Sequence, residues 1–113
     1  MIKIYHNNRC SKSRCALELL EQSAKPFEVV NYLENTVTAE ELKHIIKLLG
    51  IKPIDLVRTN EAIWKTHFKD KTLTDEQIID AMVTNPKLIE RPIVINGNKA
   101  VIGRPTEKIR DII

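Results

Sequence analysis

Hydrophobic and polar positions along the first third of the chain follow a strand–helix–strand pattern. Residues 2–5 (IKIY) alternate apolar and polar side chains, as a short half-buried strand does. From Ser11 to Ser23 the apolar residues recur at helical spacing. Residues 27–32 (FEVVNY) are rich in β-branched and aromatic residues, which favour a second strand. This pattern predicts a βαβ unit whose two parallel strands are joined by a right-handed helical crossover.

Two capping boxes mark helix starts in the middle of the chain. Residues 38–41 (TAEE) and 74–77 (TDEQ) each place a Glu or Gln three positions after a threonine, so that both side chains can satisfy free backbone N–H groups. The first helix is expected to stop at Gly50 and the second at Asn85-Pro86. The middle of the chain is therefore predicted to be helical. Single helical turns are also predicted at residues 53–57 and 61–68.

The last third of the chain begins with a β-hairpin signal. Asn96-Gly97 lies between two apolar stretches, residues 93–95 and 99–102. An Asn-Gly pair supplies the positive φ angles of a type I′ turn, so a hairpin is predicted here. Pro105 is then expected near the first position of a final helix, where a missing N–H costs little.

The order of these elements defines the fold class. A βαβ unit and a ββα unit together predict an α/β protein with a four-stranded mixed sheet, which is the plan of the thioredoxin/glutaredoxin-like fold. The helical residues 38–85 form an insertion between the two halves, and residues 1–113 are expected to form one domain. A fold of this kind does not by itself define a function.

Composition excludes several classes of protein. The 113 residues carry a net charge of +3 with no basic runs, and aromatic residues are 4% of the total, so a nucleic-acid-binding role is not expected. Apolar runs are far shorter than the ~18 residues of a membrane span, and the first ten residues lack the apolar core of a signal peptide. We therefore expect a cytoplasmic protein without membrane contact.

Cys10 is the first candidate for chemistry, because it lies between the first predicted strand and the first predicted helix. Backbone N–H groups and the positive end of the helix dipole stabilise a thiolate at such a position, and they can lower a cysteine pKa from ~8.5 to between ~3.5 and ~7.5. Ser13 stands where a C-x-x-C oxidoreductase has its second cysteine. An external thiol is therefore expected to complete any redox cycle.

Cys15 has two interpretations. It lies five residues after Cys10, a rise of ~7.5 Å if both were helical, whereas a disulfide needs Cα atoms within ~7 Å. Its position beside Leu19 on the predicted apolar stripe favours a buried, inert thiol. The alternative is a resolving thiol.

Three arginines occupy conspicuous places. Arg58 follows a predicted turn, Arg91 precedes Pro92, and Arg104 precedes Pro105. Pro92 comes directly before the third strand, where a thioredoxin-like fold typically has a cis proline, and a cis form is predicted here. Guanidinium groups match tetrahedral oxyanions in geometry and never lose their proton. The three arginines with a thiolate therefore suggest an oxyanion site.

His6 leaves two alternatives open, because it could tune Cys10 or hydrogen-bond the turn that follows the first strand. No cluster of His, Cys and Asp has the spacing of metal ligands, so no metal is expected.

The chain resembles the glutaredoxin-coupled arsenate reductase family, the ArsC type of the thioredoxin-like superfamily, over nearly its whole length. The cysteine motif alone is weakly specific, but the cysteine followed by three arginines in this order is quite specific. Since the chain stops at Ile113 without a C-terminal extension, it is most similar to the short subgroup. The matching segments are residues 4–7 (IYHN), Cys10, residues 13–14 (SR), 32–34 (YLE), 56–58 (LVR), 85–94 (NPKLIERPIV) and 102–105 (IGRP).

This resemblance implies a function and a set of site residues. Cys10 would attack arsenate as a thiolate, and His6 would help to keep it ionised. Arg58, Arg91 and Arg104 would bind the oxyanion. Glutathione would act as co-substrate by attacking the thiol–arsenate adduct, and glutaredoxin would complete the reduction to arsenite, with no bound cofactor and a monomeric protein.

Two alternatives from other classes remain. A branch of the same superfamily comprises transcription regulators that bind RNA polymerase, either redox-linked through a C-x-x-C or independent of redox state. Ser13 argues against the redox-linked type. A thiol–disulfide oxidoreductase is the second alternative.

Overall fold

The computed structural model of the protein describes residues 2–7 and 9–113. The chain divides into a sheet unit, Met1–Asn35 with Arg91–Ile113, and a helical unit, Thr36–Glu90. The helical unit includes the whole of the predicted insertion, residues 38–85. That residues 1–113 form one domain stays a prediction.

The sheet unit contains the predicted four-stranded mixed sheet. Its strands are β1 (Ile2–His6), β2 (Phe27–Asn31), β3 (Ile93–Asn96) and β4 (Lys99–Ile102), in the spatial order β2-β1-β3-β4. β1 pairs in parallel with β2 and antiparallel with β3, and β3 pairs antiparallel with β4. Helix α1 (Ser11–Gln22) connects β1 to β2. The βαβ and hairpin parts of the prediction are both confirmed.

The core of the sheet unit follows from two periodicities. Alternate residues of a strand face the same side of the sheet, and residues four apart in a helix share one face. A final 3-10 helix, Thr106–Asp111, packs against α1 and β4. The buried cluster consists of Ile2, Ile4, Ala16, Leu20, Val94 and Ile109.

The helical unit confirms the predicted helix starts. Thr38 Oγ1 accepts from the Glu41 N–H at 3.1 Å, and Thr74 Oγ1 accepts from the Gln77 N–H at 3.2 Å. Gly50 ends the first of these helices in the left-handed conformation, with a φ of 67° that glycine adopts without a steric cost. The elements of this unit are α2 (Ala39–Leu49), α3 (Ala62–His67) and α4 (Asp75–Thr84), with 3-10 turns at Pro53–Leu56 and Pro86–Leu88. No helix in the described part of the chain has the length and apolarity to cross a membrane.

The turn of the hairpin differs from the prediction. Asn96 pairs with Lys99 in the ladder, so the two turn residues are Gly97 and Asn98. Gly97 has a φ of 63°, and Asn98 has no positive φ. A positive φ at the first position alone is typical of a type II′ turn, so the predicted type I′ turn is wrong. The cause is the register, which takes Asn96 into the strand.

The last helix also differs in detail from the prediction. It is a 3-10 helix rather than an α-helix, and Pro105 lies near its first position as predicted, as the N-cap. The Arg104–Pro105 peptide bond is cis.

Candidate active site

Cys10 lies in the loop that joins β1 to α1, and it is the N-cap residue of the helix. Its N–H donates to the Asn7 carbonyl at 3.0 Å, and its own carbonyl accepts from the Arg14 N–H at 3.0 Å. These two backbone hydrogen bonds fix the cysteine at the point where the chain turns into the helix. The side chain is only 9% exposed. The predicted position of the thiol at a helix N-terminus is therefore confirmed.

The surroundings of Cys10 lower the pKa of its thiol. Burial acts in the opposite direction, because a thiolate loses hydration in the interior. That effect is outweighed by the Ser13 backbone N–H, by the hydrogen bond and charge of the Arg91 guanidinium, and by the Lys12 backbone N–H. The Arg91 cation and the start of α1 thus both lower the pKa of the thiol. Arg9 and Arg14, which lie close to Cys10 in the sequence, are exposed and are not among the groups that lower its pKa.

We expect the alkylation rate of Cys10 to reach its half-maximal value at a pH below ~8.5, the pKa of a free cysteine. Only the thiolate reacts, so a lowered pKa moves the whole rate profile to lower pH. Iodoacetamide rates measured against pH in a Cys15→Ser background would give this midpoint for Cys10 alone. Arg91→Ala should raise the midpoint, whereas Arg110→Ala, which removes an exposed arginine, should not. A wild-type midpoint at or above ~8.5 would contradict the account.

Two of the predicted arginines lie beside Cys10. Arg104 Nη2 donates to Cys10 Sγ at 3.7 Å, and Arg104 Nε donates to the Arg91 carbonyl at 2.7 Å. The Arg91 guanidinium lowers the pKa of the thiol, and its buried Nε has no hydrogen-bond partner among the described residues. The Arg91–Pro92 peptide bond is cis, as predicted from the position of Pro92. The sheet unit therefore brings a thiol and two guanidinium groups together.

Arg58 belongs to the helical unit. Its backbone N–H donates to the Leu88 carbonyl at 2.7 Å, next to an isolated bridge between Val57 and Ile89. Its Nε lies 3.5 Å from a carboxylate oxygen of Glu61, and the Arg58 side chain is 22% exposed. The assignment of Arg58 as a third oxyanion ligand stays a prediction.

His6 is buried at the end of β1 and contacts the first turn of α1. Its Nδ1 lies 2.7 Å from Ser13 Oγ, which also accepts from the Asn7 N–H at 3.0 Å. This arrangement agrees with the alternative in which His6 holds the turn. Ser13 is itself fully buried, and its hydrogen bonds to His6 and Asn7 mean that the last residue of the C-x-x-S motif fixes the loop that carries Cys10.

Cys15 is exposed, so the prediction of a buried thiol is wrong. The buried face of α1 consists of Ser13, Ala16 and Leu20, which follow one another at spacings of three and four residues. Cys15 is one residue before Ala16, and one residue turns the helix by about 100°, which takes its side chain off that face. Both cysteines are free.

Tyr32 is a further residue at the site, and the sequence indicated it only as part of the matching segment 32–34. It follows directly after β2, and the β1–β2 register pairs His6 with Asn31, so Tyr32 comes at the same end of the sheet as the Cys10 loop. Burial raises the pKa of its phenol, and Cys10 acts in the same direction, while Arg91 and Asn7 act to lower it. The sequence signal that could have indicated Tyr32 is its position directly after a strand predicted to pair in parallel with β1.

The chemistry open to this arrangement is nucleophilic attack on an anion. A buried thiolate is a strong nucleophile, and two guanidinium groups hold oxyanions through planar pairs of N–H donors. Among the described residues, no group of three or more His, Cys, Asp or Glu side chains could hold a metal ion.

Comparison with known proteins gives a consistent set of relatives. The model of the ArsC family matches residues 5–112. The uncharacterized protein YfgD of Escherichia coli strain K12 is 46% identical, over 99% of this chain and 96% of YfgD. The arsenate reductase of Neisseria meningitidis serogroup A is 40% identical, over 99% of this chain and 97% of that protein.

A solved structure of a related protein has the same fold. The arsenate reductase from Vibrio cholerae superposes with a TM-score of 0.94 at 40% identity, covering 99% of this chain and 97% of that one. The predicted thioredoxin-like fold class is therefore confirmed.

Proposed function

Because the chain belongs to the ArsC family, we propose that it reduces arsenate to arsenite with Cys10 as the nucleophile. The observation that carries the proposal is the contact between Arg104 Nη2 and Cys10 Sγ at 3.7 Å, with the Arg91 guanidinium on the same sulfur. An anion that binds the two guanidinium groups is thereby brought to the thiolate.

The first step forms a bond between Cys10 Sγ and arsenic. One arsenic–oxygen bond breaks, and the departing oxygen takes up protons from solvent and leaves as water. Arsenic remains in its pentavalent state in this adduct. Arg91 and Arg104 offset the negative charge of the thiolate and of the oxyanion, which otherwise repel each other.

The later steps supply two electrons from thiols. Glutathione attacks the Cys10 sulfur of the adduct, so that a disulfide bond forms while the sulfur–arsenic bond breaks and leaves its electron pair on arsenic, which departs as arsenite. A glutaredoxin thiol then attacks the glutathione sulfur of this mixed disulfide and releases Cys10. In the sum, one arsenate and two thiols give one arsenite, one disulfide and one water. Ser13 occupies the position of the second cysteine in a C-x-x-C motif, so Cys10 has no cysteine partner there. This supports an external thiol as the reductant.

Two further residues, His6 and Arg58, contribute to the proposed site. His6 keeps Cys10 reactive through the loop it shares with Ser13, to which it is hydrogen-bonded. Arg58 provides a further oxyanion ligand, on the evidence of the sequence motif. No bound cofactor takes part, glutathione being a co-substrate, and the protein acts as a monomer in the cytoplasm.

The alternatives receive less support from the site. A regulator that binds RNA polymerase would tolerate arginines that point away from Cys10, whereas Arg91 and Arg104 both act on its sulfur. A general thiol–disulfide oxidoreductase needs no anion-binding groups at its sulfur, whereas the Arg104 guanidinium contacts Cys10 Sγ and Arg91 acts on the same thiol. Both observations favour a small anionic substrate.

The reductant can be tested in steady-state assays of the purified protein. We expect arsenate turnover with glutathione plus glutaredoxin, and little turnover with thioredoxin and its reductase in their place. Thioredoxin-driven turnover that needs no glutathione would overturn the reductant assignment and leave arsenate as the substrate. Disulfide reduction without any arsenate turnover would instead favour the oxidoreductase alternative.

A further inference from the structure

The hydroxyl of Tyr32 is a buried polar group whose electrostatic neighbours include Cys10. The residue is 1% exposed, and its Oη has no partner of standard geometry among the described residues. A buried hydroxyl in that condition costs folding free energy, and native structures contain few of them. A partner for this hydroxyl is therefore expected, and none is present among residues 2–7 and 9–113.

The groups around the hydroxyl show what kind of ligand is missing. The positive charge of Arg91 acts on the phenol and lowers its pKa, and an arginine can only donate a hydrogen bond. Asn7 also acts on it, and the amide oxygen of Asn7 already accepts from the Arg9 N–H at 2.9 Å. Neither group forms a hydrogen bond of standard geometry with Tyr32 Oη, so the phenol proton lacks an acceptor among the described residues.

The position of Tyr32 points to the same place. Because β2 runs parallel to β1, with His6 opposite Asn31, the residue after β2 lies beside the loop that begins with Asn7. That loop presents Cys10, whose charge acts on the phenol. Tyr32 is not among the groups that lower the pKa of Cys10. The acceptor is therefore expected to be a bound molecule rather than the sulfur.

We propose that the Tyr32 hydroxyl donates a hydrogen bond to an oxygen of a tetrahedral oxyanion bound at Cys10, as a neutral ligand beside Arg91 and Arg104. This inference rests on the proposed function and adds a residue to its binding site. Because the pKa of the phenol is raised, Tyr32 keeps its proton at neutral pH and stays a donor. A neutral donor binds the anion without adding to the charge of the pocket.

Tyr32→Phe separates this role from a structural one, because it removes only the unpartnered hydroxyl. A structural hydroxyl would lower the melting temperature when lost, whereas an unpartnered one leaves it unchanged or raised. A hydrogen bond to a charged oxygen is strong, so we expect about a 10- to 100-fold rise in the anion concentration that half-protects Cys10 from alkylation. The pH midpoint of alkylation without anion should stay as in the wild type.

The experiment uses iodoacetamide with arsenate and, separately, with sulfate, in a Cys15→Ser background. Tyr5→Phe removes the hydroxyl of a tyrosine that is 3% exposed and serves as the matched control, with unchanged protection expected. Unchanged protection in Tyr32→Phe would overturn the inference. A raised alkylation midpoint that accounts for the whole loss of protection would also overturn it, because Tyr32 would then bind the thiolate.

Failure of the inference can be distinguished from failure of the proposed function. If the wild type forms arsenite and Tyr32→Phe is protected as well as the wild type, arsenate reduction stands and the role of Tyr32 does not. If the wild type forms no arsenite but oxyanions protect Cys10 less well in Tyr32→Phe, the oxyanion ligand stands and the arsenate reductase function does not. Wild-type Cys10 that no oxyanion protects would overturn the inference outright.

Discussion

Cys10→Ser is expected to reduce arsenate turnover by about 10³-fold or more, down to the background rate without protein. A serine hydroxyl stays protonated at neutral pH, whereas the pKa of the buried Cys10 thiol is lowered. The variant therefore lacks an ionised nucleophile. Cys15→Ser should retain most of the activity, because its thiol is exposed on α1 and the two cysteines are poorly spaced for a disulfide. Both variants would be measured by arsenite formation with glutathione and glutaredoxin.

The matched pair of serine variants also tests the role of Cys15. Its exposure makes the thiol accessible to a partner, in contrast to the buried thiol predicted from the sequence. If Cys15→Ser were as inactive as Cys10→Ser, an internal disulfide step between the two cysteines would have to enter the mechanism. Melting temperatures equal to that of the wild type in both variants would show that any loss of activity does not reflect unfolding.

Arg91→Ala and Arg104→Ala are each expected to lower kcat/KM by roughly 10- to 150-fold. Each loses a charge-assisted hydrogen bond to the anion, which is worth on the order of 1.5–3 kcal/mol. Lysine should restore little of this, because it keeps the charge but not the planar pair of donors. Arg104→Lys loses a second feature as well, since Arg104 Nε holds the Arg91 carbonyl at 2.7 Å while Nη2 contacts Cys10 Sγ.

The arginine variants need a control for the general loss of positive charge. Arg110 is exposed in the last 3-10 helix, so Arg110→Ala should keep wild-type kcat/KM. Protection of Cys10 from alkylation by arsenate, phosphate and sulfate would be measured beside turnover. Wild-type values of both readouts in Arg91→Ala and Arg104→Ala would make them structural or surface residues, and the regulator alternative would then take precedence.

Local signals were sufficient to predict most of the elements of the fold. The capping residue Thr74 accepts from the Gln77 N–H, and Gly50 adopts the positive φ that ends α2, as the sequence indicates. The resemblance to the ArsC family was likewise recognisable from the cysteine and arginine motifs, and it is confirmed over residues 5–112. These features depend on a few neighbouring residues, which is why the sequence reveals them.

Local sequence signals did not predict features that depend on the register of paired strands or on the face of a helix on which a side chain lies. The hairpin turn is shifted by one residue because Asn96 pairs with Lys99. Cys15 differs from the buried Ala16 by one helical step, which a pattern of apolar residues does not resolve. Tyr32 enters the site only through the pairing of two parallel strands that are distant along the chain.

The measurement that tests the central claim most directly is the formation of arsenite from arsenate by the purified protein. Arsenic species would be separated and quantified after incubation with glutathione and glutaredoxin, for the wild type and for Cys10→Ser. The account predicts many arsenite molecules per wild-type protein, one disulfide formed per arsenite, and only background arsenite with Cys10→Ser. Arsenite at the background level with the wild type, or equal formation by Cys10→Ser, would contradict it.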